Sequence, residues 1–328
     1  MNTFMRSSAF LPLLLLAGFG SVPLVATAME QPFWISFFAR ILIYAIAAST
    51  LNLALGFGGL VSFGHALFMG LGSYAVALPA FHGVGSGWVH LAICVSGAAV
   101  VALAIGAISL RTTGMGFIMI TLAFAQMGYF LLVSLKQYGG DDGLAVASTS
   151  RFGSLDLGAT LPLYAAALAI LVVVTWWMGK VRVAPFGMAL RGARQNARRI
   201  NAMGLQARRL QLIAFTVSGV ICSLSGLLLA NLNAYASPST LAWTVSGELI
   251  VMVVLGGIGS VAGPVVGALV FLGVEEVLKS VTEHWMVIFG PMIVLMALMG
   301  RWGVIGMIDR LSRPRRTAAT AVPGGSAT

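Results

Sequence analysis

Charged side chains are scarce in this sequence, and their scarcity excludes a soluble domain. Asp, Glu, Lys and Arg make up 9 % of the 328 residues, whereas soluble proteins carry about 25 %. Hydrophobic residues account for 59 % of the chain, and its mean hydropathy is +0.97. Apolar runs of about 20 residues, the length of a membrane-spanning helix, recur along nearly the whole sequence. The composition therefore predicts an all-α polytopic membrane protein.

Sequence patterns for catalysis and nucleotide binding are also absent. There is no G-x-x-x-x-G-K-[ST] segment, so this chain does not bind ATP in the P-loop manner. No G-x-S-x-G, H-E-x-x-H or paired-carboxylate pattern occurs either. We therefore assign no catalytic residue, metal ligand or cofactor to the chain. The only cysteines, Cys94 and Cys222, lie in apolar runs, which favours buried free thiols over a disulfide.

Acidic residues are fewer than basic ones, 9 against 19. A single aromatic residue, Phe186, lies among the arginines of the segment 182–210, and no soluble domain accompanies them, which argues against nucleic-acid binding. The basic residues collect in the segment 180–210, called the basic loop below, and in the tail from Arg301 onward. Because Lys and Arg stay on the cytoplasmic side, we expect both regions and both termini there. The basic loop carries Lys180, Arg182, Arg191, Arg194, Arg198, Arg199, Arg208 and Arg209.

Hydropathy predicts about 8–10 transmembrane helices along the chain. The N-terminal segment also looks like a signal peptide, but its length favours a retained membrane anchor. A single crossing at 247–278 would place the basic tail outside, so we predict a broken or re-entrant pair there. Helix-breaking residues mark the break: Gly256, Gly257, Gly263 and Pro264. The predicted spans are 9–28, 33–55, 60–80, 88–110, 113–134, 161–179, 211–232, 246–260, 263–279 and 285–300.

Polar residues inside apolar spans are candidates for the wall of a transport path, because polar groups at membrane depth are costly and tend to face an interior or a cavity. Interhelical hydrogen bonding would account for them equally well, and the sequence leaves both alternatives open. The candidates are Asn52, Ser62, His65, Thr121 and Gln126. Few ionisable residues lie near or within the spans, Arg40 and Glu248 among them, which weighs against an ion-coupled carrier.

The basic loop has helical periodicity. A helix over 188–204 would present an apolar face on one side and arginines on the other. Because no acidic residue lies among the arginines, we expect something negatively charged to cover them, and anionic lipid and a partner protein remain equal alternatives. The apolar face consists of Leu190, Ala193, Ala197, Ile200 and Gly204, and the basic face of Arg191, Arg194 and Arg198, with Arg199 at its margin.

Four segments carry a resemblance to a known family. They are LGFGGLVSFGHALFMGLGSYAVALPA (55–80), GGDDGL (139–144), PFGMALRGARQNARRINAMGLQARRLQLIAFTVSG (185–219) and VVLGGIGSVAGPVVGALV (253–270). Together these segments resemble the LivM-type permease subunits of branched-chain amino acid ABC importers, over about residues 33–303. Two departures stand out. Acidic residues are typical of the family where this chain has Gln195, Asn196 and Ala197, and Gln is typical where Leu60 stands.

The resemblance implies partners and a role for the basic loop. It implies a LivH-type permease partner, two ATP-binding subunits that hold ATP and Mg, and a periplasmic substrate-binding protein, all around a lipid-embedded core. The basic loop would be the coupling helix that docks on an ATP-binding subunit, with Gly204 at the glycine of the family's coupling motif. The coupling residues would be Arg191, Ala193, Arg194, Arg198, Ala202 and Gly204.

The expected protein is thus a multi-pass permease subunit of the bacterial inner membrane. Its expected parts are an anchor (1–32), a permease domain (33–303) and a basic, partly disordered tail (304–328). The expected substrates are branched-chain or related amino acids. Urea, amides or aromatic acids are alternative substrates of the same machinery, and an ATP-independent secondary carrier is the alternative of a different class.

Overall fold

The computed structural model describes residues 15–23, 32–153 and 155–299, and these form a helical bundle. The predicted tail and the ends of the first predicted span lie outside the described residues. The helices are α1 (15–23), α2 (Pro32–Asn52), which continues as a π-helix over Leu53–Phe57, α3 (His65–Phe81), α4 (Gly87–Ser109), α5 (Met115–Ser134), α6 (Thr160–Val183), α7 (Pro185–Gln195), α8 (Ala197–Ala202), α9 (Ala207–Asn233), α10 (Trp243–Gly256), α11 (Gly263–Val281) and α12 (Trp285–Met299).

The helices confirm the predicted class of all-α polytopic membrane protein. Five of the described helices are long and apolar enough to cross a membrane: α2 with its π-helical end, α4, α5, α6 and α9. Helix α10 has 14 residues, a length of about 21 Å, which is short of a bilayer's hydrocarbon core. It ends at Gly256, and α11 begins at Gly263 beside it, so the predicted broken pair is confirmed.

Helix α2 occupies the centre of the bundle. In its most apolar stretch of 18 residues, 83 % of the residues are buried, against 22 % in the same stretch of α5 and 28 % in that of α4. It packs against α6, α9, α10 and α11. A helix that is apolar on every side is enclosed either by protein or by lipid, and the burial of α2 shows that protein encloses it. Helices α4 and α5 form the periphery and expose their outer surfaces.

Helices α3 and α9 approach each other through glycines. A Cβ atom added at Gly72 would overlap the backbone of Ser223, and one added at Gly226 would overlap the backbone of Met69. Close backbone approach through small residues is the usual packing of membrane helices, since lipid gives no hydrophobic drive for association. Both cysteines are free and buried, as predicted: Cys94 of α4 contacts Ser223 of α9, and Cys222 of α9 contacts the His65 carbonyl of α3.

The loops at the end of the bundle away from the basic loop are tied down by short strands and a buried network. Residues Leu144–Ala145 pair with Tyr235–Ala236 in antiparallel register. The GGDDGL segment needs its glycines because Gly139, Gly140 and Gly143 all have φ between 54° and 88°, where side chains are strained. Asn231 donates to the Ser150 hydroxyl, which donates in turn to His90 of α4.

Asp156 stabilises the neighbouring turn. Its carboxylate accepts hydrogen bonds from the Gly158 backbone and the Thr149 hydroxyl, both at 2.8 Å, and from Arg151 at 3.2 Å. The bond from Gly158, then that from Thr149, holds the pKa of the Asp156 carboxyl below its usual value, because hydrogen bonds to a carboxylate favour its charged form.

Gly226→Ala is expected to lower the stability of the purified protein in detergent by about 1–3 kcal/mol, because the added methyl group forces α3 and α9 apart. Gly97→Ala on α4 is the matched control, since nothing lies within 4 Å of a Cβ atom there. Thermal unfolding of the two variants beside the wild type measures the difference. Equal midpoints for Gly226→Ala and Gly97→Ala would contradict the packing described here.

Candidate functional site

The chain leaves the helical path between α2 and α3, at residues 58–64, called the first break below. The predicted span 60–80 was wrong at its start, because the helix begins only at His65. His65, directly after the break, forms a hydrogen bond with Ser218 of α9. Helix α9 begins at Ala207, and at 1.5 Å per residue Ser218 lies about 17 Å along it, well inside the bundle. The first break therefore lies inside the bundle, where its backbone polar groups need partners from the protein.

Side chains from other helices supply those partners. The Ser246 hydroxyl of α10 donates to the Phe63 carbonyl at 2.8 Å and accepts from the Ala66 N–H at 2.9 Å. Thr121 of α5 accepts from the Phe63 N–H at 3.3 Å. Ser62 accepts from the Gly64 N–H at 3.1 Å. Two predicted pathway residues, Ser62 and Thr121, thus accept hydrogen bonds from backbone N–H groups of the first break.

The second break comprises residues 257–262, between α10 and α11. Asn52 of α2 forms hydrogen bonds with the backbone of this break. Its carbonyl oxygen accepts from the Gly259 N–H at 2.8 Å, and its amide donates to the Ser260 carbonyl at 2.7 Å. Gly257 and Gly259 have φ of 116° and 79°, conformations open to glycine. Of the predicted breakers, Gly256 ends α10, Gly257 lies in the break, and Gly263 and Pro264 begin α11.

His65 is buried between α3 and α9. The Ser218 hydroxyl donates to the Thr50 carbonyl at 2.6 Å, so its oxygen accepts from His65 Nε2 at 2.8 Å. This arrangement assigns the proton of the neutral ring to Nε2 and leaves Nδ1 buried without a hydrogen-bond partner. In the described parts of the chain, no group of three His, Cys, Asp or Glu residues could hold a metal ion.

Gln126 differs from the other four predicted pathway residues. Each of the four has a hydrogen-bond partner within the chain, whereas the Gln126 carboxamide has none among the described residues. It lies half-buried in α5, about 16 Å from the first residue of that helix. Around it α5 exposes Met119 (57 %), Met127 (65 %) and Phe130 (63 %).

The basic loop forms two short helices instead of the single helix predicted over 188–204. Helix α7 begins with Pro185 at its first position, where the missing N–H is not needed. Asn196 interrupts the helix with extended backbone angles of −155° and 95°, and its side chain caps α8 by accepting from the Arg199 N–H. Gly204, with φ of 84°, ends the loop's helical part. Asn196 therefore has a backbone role in this chain.

Three arginines of the basic loop are bound to the ends of transmembrane helices. Arg194 Nη1 donates to the Gly56 carbonyl at the end of α2. Arg191 Nη2 donates to the Arg182 carbonyl in the last turn of α6 at 2.5 Å, and Arg208 Nη2 donates to the Ala107 carbonyl in the last turn of α4 at 2.8 Å. Helix C-termini carry partial negative charge. We expected a negatively charged partner to cover the arginines. For these three, the protein's own carbonyl groups supply the negative charge.

The loop's outer surface contains the remaining predicted coupling residues and an apolar patch. Arg198, Ala202 and Gly204 are exposed, whereas Ala193 is buried with Leu190 and Ile200 under the loop. Ala197 and Gly204 are exposed and therefore do not belong to the predicted apolar face. The sequence analysis did not predict three exposed hydrophobic residues of this loop, and their place among basic residues was the only signal for them. Their exposed fractions are 54 % for Met188, 69 % for Met203 and 43 % for Leu205.

Comparison with known proteins gives a family. The family described as branched-chain amino acid transport system / permease component matches residues 33–297. The chain belongs to this family. The match spans α2 to α12 and so includes both breaks and the basic loop. Members of such a family are transport subunits, which agrees with the absence of catalytic patterns from the sequence. No solved structure matches the chain.

Relatives of both permease types of this family are similar to the chain. The LivM permease protein of the high-affinity branched-chain amino acid transport system of Escherichia coli (strain K12) is 27 % identical over 316 residues, covering 87 % of this chain and 74 % of the relative. The LivM protein of Salmonella typhimurium is 25 % identical with the same coverage. The LivH protein of Escherichia coli (strain K12) is 25 % identical over 286 residues, covering 80 % of this chain and 91 % of the relative.

Asn52→Ala is expected to lower the thermal stability of the purified permease chain, because it leaves the Gly259 N–H and the Ser260 carbonyl without partners at a cost of about 1–3 kcal/mol for each group. Gln126→Ala is the control and is expected to leave the midpoint unchanged, since it breaks no hydrogen bond among the described residues. Thermal unfolding in detergent compares them. A larger loss for Gln126→Ala than for Asn52→Ala would refute this assignment of the two side chains.

Proposed function

We propose that this chain is the membrane subunit of an ABC importer and forms a wall of the path for branched-chain or related amino acids. Separate ATP-binding subunits, holding ATP and Mg, would supply the energy, and a periplasmic binding protein would deliver the substrate. The observation that carries the proposal is the outer surface of the basic loop. There, exposed hydrophobic residues and an arginine that forms no hydrogen bond with the described residues lie in one loop at one end of the bundle.

The docking surface for the ATP-binding subunit consists of Met188, Arg198, Met203 and Leu205. Exposed apolar side chains rimmed by polar residues are typical of protein–protein contacts. A lipid headgroup layer fits these residues less well, because α7 and α8 pack under the bundle and turn their buried side towards it. Arg198 forms no hydrogen bond within the described chain and is free to bind an acidic group of the partner.

The substrate path follows the exposed side of α5. A carboxamide in contact with hydrocarbon costs several kcal/mol, so the Gln126 side of α5 is expected to face protein or water. Met119 and Phe130 lie on the same face of α5 as Gln126, seven residues before and four after it, and both are exposed; methionine side chains adapt to different shapes. Asn52, Ser62, His65 and Thr121 would support the path from behind by fixing the breaks, and their contact with substrate stays a prediction.

The second membrane subunit would be a LivH-type chain. Its support is that LivM and LivH relatives both match this chain at 25–27 % identity, so the two types share one fold and suit a pseudo-twofold pair. The positive-inside rule would orient the basic loop and both termini towards the cytoplasm of a bacterial inner membrane.

The transport function is tested by reconstitution. The chain, co-expressed with a LivH-type subunit, ATP-binding subunits and a binding protein from the same genome, is expected to move labelled leucine into proteoliposomes only with ATP. Urea, an aliphatic amide and an aromatic acid serve as competing substrates. Uptake without ATP would overturn the importer proposal, and ATP-dependent uptake of a competitor but not of leucine would overturn the substrate class.

Met203→Asp is expected to reduce co-purification of the ATP-binding subunit at least fivefold, roughly the effect of losing 1 kcal/mol or more at an interface. The same change at Leu155, an exposed hydrophobic residue at the opposite end of the bundle, is the control. Quantitative pull-down from detergent measures both. Equal recovery with Met203→Asp and Leu155→Asp would show that this patch is not the docking surface.

A further inference from the structure

Arg194 joins the basic loop to the first break. Its guanidinium donates to the Gly56 carbonyl, and its aliphatic part packs on Gly59, where an added Cβ atom would lie 2.6 Å from Arg194 Cγ. Gly59 has φ of 70°, so the chain turns sharply where the arginine lies against it. The bond between a guanidinium and a helix C-terminal carbonyl is charge-assisted and stronger than a neutral one.

Gly56 joins the first break to the second. A Cβ atom added at Gly56 would lie 2.8 Å from the Gly259 N atom and would overlap the Asn52 side chain. Asn52 holds both Gly259 and Ser260 by hydrogen bonds of 2.8 and 2.7 Å. A continuous series of contacts therefore runs from the end of α7 through Gly56 and Asn52 to the junction of α10 and α11.

The other two bound arginines hydrogen-bond regular α-helices. Arg191 donates to the last turn of α6, with its guanidinium also over the Phe57 ring, and Arg208 donates to the last turn of α4. Arg194 donates to the backbone of a π-helical segment, Leu53–Phe57. Such segments are rare, and many of them occur at functional sites. Among these three arginines, Arg194 alone is bonded to backbone adjoining a break.

We propose that Arg194 is the positioning residue through which the docking loop sets the conformation of the two breaks. When α7 is displaced by the ATP-binding subunit, the Gly56 carbonyl moves with the guanidinium, and Asn52 carries the shift to residues 257–262. This inference rests on the proposed function, since it needs an ATP-binding subunit on the loop. It adds the route by which nucleotide binding reaches the membrane core.

The test uses the full complex in proteoliposomes with Arg194→Gln, Arg194→Lys and the control Arg209→Gln. Arg209 is an exposed arginine at the start of α9 that makes no hydrogen bond within the described chain, so its variant removes the same charge from the same loop. Arg194→Gln is expected to keep assembly and ATP hydrolysis while the substrate moved per ATP falls at least about fivefold, the lower range of coupling between sites. Arg194→Lys is expected to restore part of it, since lysine donates as a point charge without the planar fork.

Hydrogen–deuterium exchange of the peptide covering 253–265 gives a readout that is independent of the substrate. ATP binding is expected to change its exchange in the wild type and in Arg209→Gln but not in Arg194→Gln. The Arg194→Gln/Asn52→Ala double variant is expected to lose no more coupling than the worse single variant, because both act in one series of contacts.

The outcomes separate the two proposals. A wild-type chain that binds no ATP-binding subunit would overturn the proposed function and this inference with it. A wild-type complex that couples ATP hydrolysis to uptake, with Arg194→Gln equal to Arg209→Gln, would overturn the inference alone. If Arg194→Gln does not assemble, an assembled Arg194→Lys complex with unchanged coupling and a wild-type exchange response would overturn it equally.

Discussion

Backbone polar groups that leave helical geometry inside a membrane protein must be paired by the protein itself, and the rest of this structure depends on that constraint. The first and second breaks each expose N–H and carbonyl groups within the bundle. Ser246 and Thr121 pair the first, and Asn52 pairs the second. These hydrogen bonds fix the positions of side chains from α2, α5 and α10. The arrangement of these helices follows from the need to satisfy the breaks as much as from apolar packing.

Three arginines of the basic loop bind helix ends. Helices α2, α4 and α6 all end beside this loop, so their C-terminal carbonyl groups lie there. The partial negative charge of these helix ends attracts the guanidinium groups. Arg191, Arg194 and Arg208 therefore have protein partners although the loop contains no acidic residue, whereas Arg198 stays exposed.

Hydropathy and the breaker residues were enough to predict the all-α membrane class and the broken pair, since both are local properties of the sequence. The first break was predicted too short, because residues 60–64 are mostly apolar, like a span. What keeps them non-helical is pairing with residues far away in the chain, such as Ser246, 180 positions from Ala66. The roles of Asn52 and Arg194 were hidden for a similar reason. Their partners are main-chain groups, which have no signature in a sequence.

The two ends of the bundle differ in how firmly they are held. At the end away from the basic loop, strand pairing and the Asn231–Ser150–His90 network tie loop to helix with fully partnered groups. The half of the bundle next to the basic loop contains both breaks, the π-helical segment and the arginine contacts, where side chains such as Asn52 and Ser246 hydrogen-bond the backbone of short segments. Regular helices resist bending, whereas such junctions absorb changes in backbone angles at little cost. A force applied at the basic loop would therefore deform the near half of the bundle first.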